Sequence, residues 1–274
     1  MPSTTDRNSR QTDSRVGPEN EFAVRIRNVT KEFTGGAVRA LNDITLDVPT
    51  GQRLVLMGLS GSGKSTTLRL INALAEPTRG EVEVLGQNPS GLSSRELRQF
   101  RRQIGFVFQH FNLVGRASAL ENVLVGALGG LRGPRYGIMT YPDSLRREAL
   151  RQLERVGLAD KAFQRASTLS GGQQQRVGIA RALLQRPKIV LADEPVASLD
   201  PESSRQIMDL LFEVCDQDGL TVICNLHQME IALGWADRMV GLRSGEIILD
   251  RDARTLTPED VSEIYAQAQP QAAS

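Results

Sequence analysis

Leu54-Val55-Leu56-Met57-Gly58-Leu59-Ser60-Gly61-Ser62-Gly63-Lys64-Ser65-Thr66 decides the fold of this chain. Its first four residues are apolar on both faces, which suits a central strand covered on either side. The rest fits Gly-x-x-x-x-Gly-Lys-Ser/Thr, and behind it Leu68, Leu70, Ile71 and Leu74 keep a helical spacing. Strand, glycine loop and helix in that order build a cradle for a phosphate chain. Glycines let the backbone curl until several N–H groups face one point, and the helix dipole adds positive potential there. Lys64 is expected to neutralise the terminal phosphates, and Ser65 to offer its hydroxyl to Mg2+. Chance alone yields such a pattern in roughly one chain in a hundred of this length, so the strand before it and the helix after it carry much of the weight.

Working outward, Ile189-Val190-Leu191-Ala192 and Val222-Ile223-Cys224 are two more runs apolar on both faces. Helical patterns separate them, which predicts an α/β core with a mainly parallel sheet. Nearer the start, Val24 and Ile26, then Ile44, Leu46 and Val48, then Val82 and Val84 alternate with polar neighbours. That period predicts an antiparallel sheet with one wet face. Between Pro142-Asp143 and Gly157, the residues Leu145, Ala149, Leu153 and Val156 share one helical face. The stretch just before, residues 129–142, is too rich in Gly and Pro for a regular element. The expected organisation is a disordered lead-in at 1–21, then an antiparallel β subdomain and the first part of the core at 22–104. A mostly helical inserted subdomain at 105–167 follows. The second part of the core takes 168–250, and a C-terminal helix and polar tail take 251–274.

Asp193 and Glu194 end one of the apolar strands, at the sheet edge where open α/β folds bind ligands. Asp193 is placed to hold a metal ion. Glu194, one residue on, points elsewhere and can polarise an attacking water. Such a pair at a strand end is more often a solvated turn, and only the phosphate loop lifts the catalytic reading above that one. His227 follows the next apolar strand and could reach a γ-phosphate or the attacking water, although a strand-end histidine bonded to a carbonyl is the commoner case. His110 has no such placement and reads as a structural or surface group. Leu169-Ser170-Gly171-Gly172-Gln173 opens a helix whose apolar face is Val177, Ala180, Leu183 and Leu184. Its free amides form a second anion-binding end. A chain with one phosphate loop has use for two such ends if they serve different copies.

Composition narrows the classes. Lys plus Arg is 33 against 32 for Asp plus Glu, and aromatics are 4%, which argues against nucleic acid as a partner. Cys215 and Cys224, without further sulfur or histidine ligands, read as reduced buried thiols. No apolar run approaches the ~20 residues that span a bilayer, and the polar start lacks the apolar stretch of a signal peptide. A membrane role is therefore expected to pass through partner proteins.

LSGGQ at 169–173, the phosphate loop and the strand ending in Asp193-Glu194 together resemble the ATP-binding subunit of ABC transporters, over residues 22–250. The resemblance implies an α/β fold: a P-loop ATPase core with a mainly parallel sheet, an N-terminal antiparallel β subdomain and an inserted α-helical subdomain. It implies ATP and Mg2+ as cofactors and catalytic roles for Lys64, Glu194 and His227. It implies that Gly58, Leu59, Ser60, Gly61, Ser62, Gly63, Lys64, Ser65 and Thr66 hold the phosphates. Phe33 stacks on adenine, where the family often has Tyr. Ser65, Gln109 and Asp193 attend the metal, and Gln109 also links to the membrane subunit. Ser170, Gly171, Gly172 and Gln173 of one copy close over the ATP of another, and Asp200 in Ser198-Leu199-Asp200 touches the opposite site. The implied partners are a second copy (a homodimer), integral membrane permease subunits and, indirectly, an extracytoplasmic substrate-binding protein. The implied location is peripheral, at the cytoplasmic face of the inner membrane.

Three segments narrow the resemblance further: QHFNLVGRASALENVLVGALG at 109–129, ADEPVASLDP at 192–201 and NLHQMEIALGWADRMVGLRSGEII at 225–248. They resemble the phosphonate importer subfamily, which implies uptake of phosphonate or a related phosphorus oxyanion. Importers of polar amino acids or methionine share parts of this pattern and form the alternative. They often carry LTHEM-like text where this chain has Asn225-Leu226-His227-Gln228-Met229.

Overall fold

Strand β1 (Phe22–Phe33) pairs antiparallel with β2 (Val38–Pro49), and the chain then enters β3 (Arg53–Met57), the phosphate loop and α1 (Lys64–Ile71). β4 (Arg79–Val84) returns to β1 and closes a three-stranded sheet ordered β2-β1-β4. Buried Val24 lies opposite Val48 and Val84, and buried Ile26 opposite Leu46 and Val82, so the alternating residues share one dry face. The computed structural model describes residues 21–265 apart from 132 and 134–136. The lead-in up to residue 20, the tail beyond 265 and part of the Gly- and Pro-rich stretch lie outside the described residues.

α2 (Ser94–Arg101) begins at a capping box of Ser93 and Glu96 and leads into β5 (Ile104–Val107). Helices α3 (Ala119–Val125), α4 (Asp143–Arg155) and α5 (Gly171–Leu183) follow. The chain then alternates through β6 (Ile189–Asp193), α6 (Pro201–Gln217), β7 (Thr221–Asn225), α7 (Met229–Trp235) and β8 (Arg238–Arg243). It ends with β9 (Glu246–Asp252) and α8 (Pro258–Tyr265). The second sheet is ordered β5-β6-β7-β3-β8-β9, parallel except for β9.

Two cores explain the strands that are apolar on both faces. Leu54 and Leu56 of β3, with Ile189 and Leu191 of β6, pack toward α1 and the three-stranded sheet. Val55 and Met57, with Val190 and Ala192, pack toward α3 through α7. Full burial of each large side chain stabilises by roughly 1.5–3 kcal/mol, so both faces of β3 hold the molecule together. α1 and α5 consequently lie on opposite faces of the large sheet.

One boundary moves. Residues 105–107, expected in the helical insert, pair with Val190, Leu191 and Ala192 as part of the large sheet. A four-residue strand opening with Ile-Gly offers too little periodicity to be seen beforehand. The helical face of α4 forms where its spacing put it, and Gly157 follows at φ 72, a left-handed stop. Trp235, partly buried, packs against the core by stacking on Phe212, with centroids 5.1 Å apart. Burial pushes the Cys215 thiol up to about 12 and Cys224 well above its usual range, consistent with inert core thiols. Among the described residues no helix is long and apolar enough to cross a membrane.

Candidate functional site

Strands β5, β6, β7 and β3 are adjacent and parallel, so their C-terminal ends share one edge. From that edge leave the loop of Gln109, the pair Asp193-Glu194, His227 and the loop Gly58–Thr66. Sheet order, unreadable from any one segment, is what gathers them.

The phosphate loop needs glycine where the backbone is tightest. Gly58 has φ 145, and a Cβ there would sit 2.2 Å from the Leu242 carbonyl oxygen. At Gly63, φ is 111 and a Cβ would fall 2.7 Å from the Ala40 oxygen. Lys64 is buried, and its Nζ donates to the carbonyls of Gly58 at 2.7 Å and Leu59 at 3.0 Å. Burial lowers the Lys64 pKa, and the charges of Glu194 and Asp193 work against that shift. The ammonium thus waits across the loop, held by weak neutral acceptors that a phosphate oxygen can displace. Ser62 Oγ is buried there with no hydrogen-bond partner among the described residues.

Ser65 Oγ donates to Asp193 Oδ1 at 2.8 Å, and Asn225 Nδ2 donates to the same oxygen at 2.6 Å. Asn225 is fully buried and sits opposite Asp193 in the β6–β7 ladder. Sequence reasoning missed it. The available cue was a polar residue closing an otherwise apolar strand. Among the described residues no group of three or more His, Cys, Asp and Glu could cage a metal. One hydroxyl beside one carboxylate instead fits a small hard cation that takes its remaining ligands from phosphates and water.

Glu194 adopts φ 48, a left-handed conformation that costs a non-glycine residue about 1 kcal/mol. The strained turn brings its carboxylate Oε1 onto His227 Nε2 in a hydrogen bond. Two side chains picked separately from the sequence therefore meet.

Other expected site residues lie apart from this edge pair. Phe33 ends β1 and is 38% exposed, and the Lys31 ammonium lies 4.9 Å from its ring centroid. Ser170 caps α5: its Oγ accepts from the Gln173 amide at 3.3 Å, and Gln173 Oε1 accepts from the Ser170 amide at 3.0 Å. A cavity of about 430 Å3 opens beside it, lined by Gly172, Gln173, Arg176, Lys161 and Ser203. A Cβ on Gly171 would lie 3.1 Å from Leu199 and 3.7 Å from Phe111, so this turn borders the loops of Asp200 and Gln109. Asp200 caps α6, its Oδ1 accepting from the Ser203 amide at 2.9 Å, and that hydrogen bonding lowers its pKa. Gln109 is half-buried and His110 exposed. With α5 and α1 on opposite faces of the sheet, the LSGGQ turn and the phosphate loop form two separate surfaces of one chain.

Comparison with known proteins agrees with this architecture. The family model described as ABC transporter matches residues 41–197. A phosphate-import ATP-binding protein of Mycolicibacterium smegmatis is 57% identical, covering 91% of this chain and 94% of the relative. A phosphonates import ATP-binding protein of Nocardia farcinica is 55% identical, covering 91% and 92%. Among solved structures, a dimeric post-hydrolysis ATP-binding cassette bound to ADP and Pi superposes with a TM-score of 0.74 at 39% identity, over 85% of this chain and all of that one. An ABC transporter cassette in its ADP conformation reaches a TM-score of 0.78 at 27% identity, over 89% and 98%. The chain belongs to the ABC transporter family, as an ATP-binding cassette.

Proposed function

We propose that this chain is the ATP-hydrolysing subunit of an importer for phosphonate or a related phosphorus oxyanion. The observation that carries the ATPase reading is the pair of contacts at one strand edge, Ser65 with Asp193 and Glu194 with His227. Phosphate binding, metal binding and water activation need such groups within a few ångströms of each other.

Loop amides and Lys64 bind and orient the triphosphate, and Phe33 offers its exposed ring to the adenine. Ser65 and Asp193, together with Gln109, would hold Mg2+, which would supply charge neutralisation for the terminal phosphates. Glu194 accepts a hydrogen bond from the attacking water, and His227 fixes the rotamer of that carboxylate. As water adds to the γ-phosphorus the bond to the bridging oxygen breaks, ADP leaves, and the water's proton passes to Glu194. The partner's Ser170–Gln173 supplies the amide field on the open side of the γ-phosphate, and Asp200 lies against the opposite site. Hydrolysis then requires a head-to-tail homodimer, whose opening and closing drives permease subunits at the cytoplasmic face of the membrane. An extracytoplasmic binding protein delivers the cargo to those subunits. The helical part of the cassette, taken from after β5 to residue 167, is the piece that moves against the core.

The cargo reading rests on the relatives' names, which speak of phosphate in one case and phosphonates in the other. They favour a phosphorus oxyanion over an amino acid. The test is ATPase stimulation in proteoliposomes holding this chain, its permease subunits and binding protein. Alkylphosphonates, phosphite, phosphate, glutamine and methionine are added in turn. Stimulation by phosphorus oxyanions, abolished by Glu194→Gln, is the expected result. Stimulation by an amino acid alone would sink the cargo assignment and leave the ATPase argument standing.

A further inference from the structure

Helix α8 ends where the phosphate loop begins. Ile264, 1% exposed, packs on β8 so closely that a Cβ on Gly241 would fall 2.8 Å from its Cδ1. Gly241 lies opposite Met57 in the β3–β8 ladder, and Gly58 follows Met57 as the loop opens. Leu242, beside Gly241, sets its carbonyl oxygen against Gly58. Tyr265, the residue after Ile264, is thereby brought to the level where β3 becomes loop. The other end of α8 is fixed by Thr257 and Asp260. The Thr257 amide donates to Asp260 Oδ2 at 2.9 Å, and the Asp260 amide donates to Thr257 Oγ1 at 3.3 Å.

Tyr265 packs against the core, yet its hydroxyl oxygen is buried with no hydrogen-bond partner among the described residues. Packing gives a poor account of that oxygen. Phenylalanine would fill the same space, and a buried hydroxyl left unpaired is costly. Burial raises the Tyr265 pKa, the Gly58 amide works against that shift, and the Glu194 charge adds to it. The phenol oxygen therefore stands beside the Gly58 amide, short of a closed hydrogen bond, and within electrostatic reach of Glu194.

Gly58 is also the residue whose carbonyl takes the Lys64 ammonium at 2.7 Å. Once Lys64 turns to a phosphate, that carbonyl loses its donor. Gly58, at φ 145 and without a side chain, is then free to rotate. We propose that Tyr265 is a positioning residue for the phosphate loop, its hydroxyl oxygen accepting a hydrogen bond from the Gly58 amide when Lys64 leaves the Gly58 carbonyl. A small rotation at Gly58 turns its amide onto the waiting oxygen and fixes the loop in the form that holds phosphate. Helix α8 thus becomes part of the nucleotide site without touching the nucleotide. The latch rests on the nucleotide-binding reading above.

The experiment titrates a non-hydrolysable ATP analogue with Mg2+ into the purified full chain and follows amide hydrogen exchange in α8. ATP hydrolysis and melting temperature are recorded beside it. Tyr265→Phe keeps the ring and removes the oxygen, whereas Ile264→Ala keeps the phenol and loosens the helix. For Tyr265→Phe, affinity falls about fivefold, the worth of one hydrogen bond, and KM for ATP rises likewise while kcat stays within about twofold. Nucleotide slows exchange in α8 of the native chain and leaves it unaltered in Tyr265→Phe. Ile264→Ala shifts affinity and exchange in the same direction. Without nucleotide, Tyr265→Phe melts no lower than the native chain, since it strands no hydroxyl. A lower melting temperature with affinity intact is what a merely structural role gives, and it overturns the latch. So does unchanged affinity with α8 still protected by nucleotide in Tyr265→Phe. If that variant does not fold, the native chain and Ile264→Ala decide, and native α8 exchange indifferent to nucleotide overturns the latch. A native chain that binds no nucleotide fails at the nucleotide-binding reading, and the latch falls with it.

Discussion

Glu194 pays for its place with a left-handed backbone and is rewarded with His227. That trade is typical of residues held for chemistry rather than for packing. Replacing Glu194 with Gln keeps the shape and removes the base, so turnover is expected to slow by ~10²–10⁴ while ATP binding persists. Single-turnover hydrolysis beside nucleotide titration checks this, and wild-type-like turnover would remove Glu194 from the role. Asn225 makes a second, less obvious case. It pins Asp193 Oδ1 from below while Ser65 holds the same atom from the loop. Asn225→Leu is expected to raise the Mg2+ concentration for half-maximal hydrolysis about tenfold, as loss of an outer support usually does. An unchanged Mg2+ dependence would reduce Asn225 to a packing residue. Glu194, Asp193, Ser65 and Lys64 were legible because each sits in a short motif with its own physical cue. Asn225 was not, since its partner Asp193 lies 32 positions away along the chain.

At the scale of elements, hydrophobic period was the reliable guide. β1, β2 and β4 alternate and pair, whereas β3, β6 and β7 each carry a run apolar on both faces and lie in the buried sheet. β5 escaped because its neighbour β6 defines it, not its own four residues. Long-range polar ties between strand ends escaped for the same reason. Arg53, opening β3, binds Asp237 just before β8, with Nη2 to Oδ1 at 2.8 Å and the backbone amide to Oδ2 at 2.8 Å. Burial works to raise the Asp237 pKa, but the hydrogen bonds and charge of Arg53 outweigh it and the net shift is downward. A carboxylate depressed in the folded state stabilises above its unfolded pKa, near ~3.9, and that stability fades as pH falls through the folded value. The carboxylate is 41% exposed, so screening limits its worth to about 0.5–1 kcal/mol. Asp237→Asn should therefore lose about that much at pH 7, with the gap to the native chain closing below pH ~4. Urea melts at pH 7 and pH 3 measure it. A gap that stays constant would show that shape, not ionisation, carries the interaction.

On the proposed reading, one copy presents two half-sites on different surfaces. α1 and the phosphate loop belong to the core shared with the three-stranded sheet, and α5 belongs to the opposite core. The turn Ser170–Gln173 thus borders Phe111 and Leu199 of its own chain. Two copies arranged head to tail give each phosphate loop a turn from the other, and each turn an anion. If that is the working unit, hydrolysis depends on encounter. Below the dimer dissociation constant, activity per chain should rise in proportion to chain concentration, and above it should level off. On that reading ATP bridges the two copies, so light scattering on Glu194→Gln should show a monomer become a dimer when MgATP is added. Lys64→Ala, without the charge that holds the terminal phosphates, should remain monomeric under the same conditions. Activity per chain that stays flat across a hundredfold dilution, with scattering showing only monomer, would mean one copy completes its own site. The two half-sites would then have to meet within one chain, which the opposed positions of α1 and α5 forbid without a large rearrangement. Flat activity would therefore count against this arrangement of the cores as well as against the dimer.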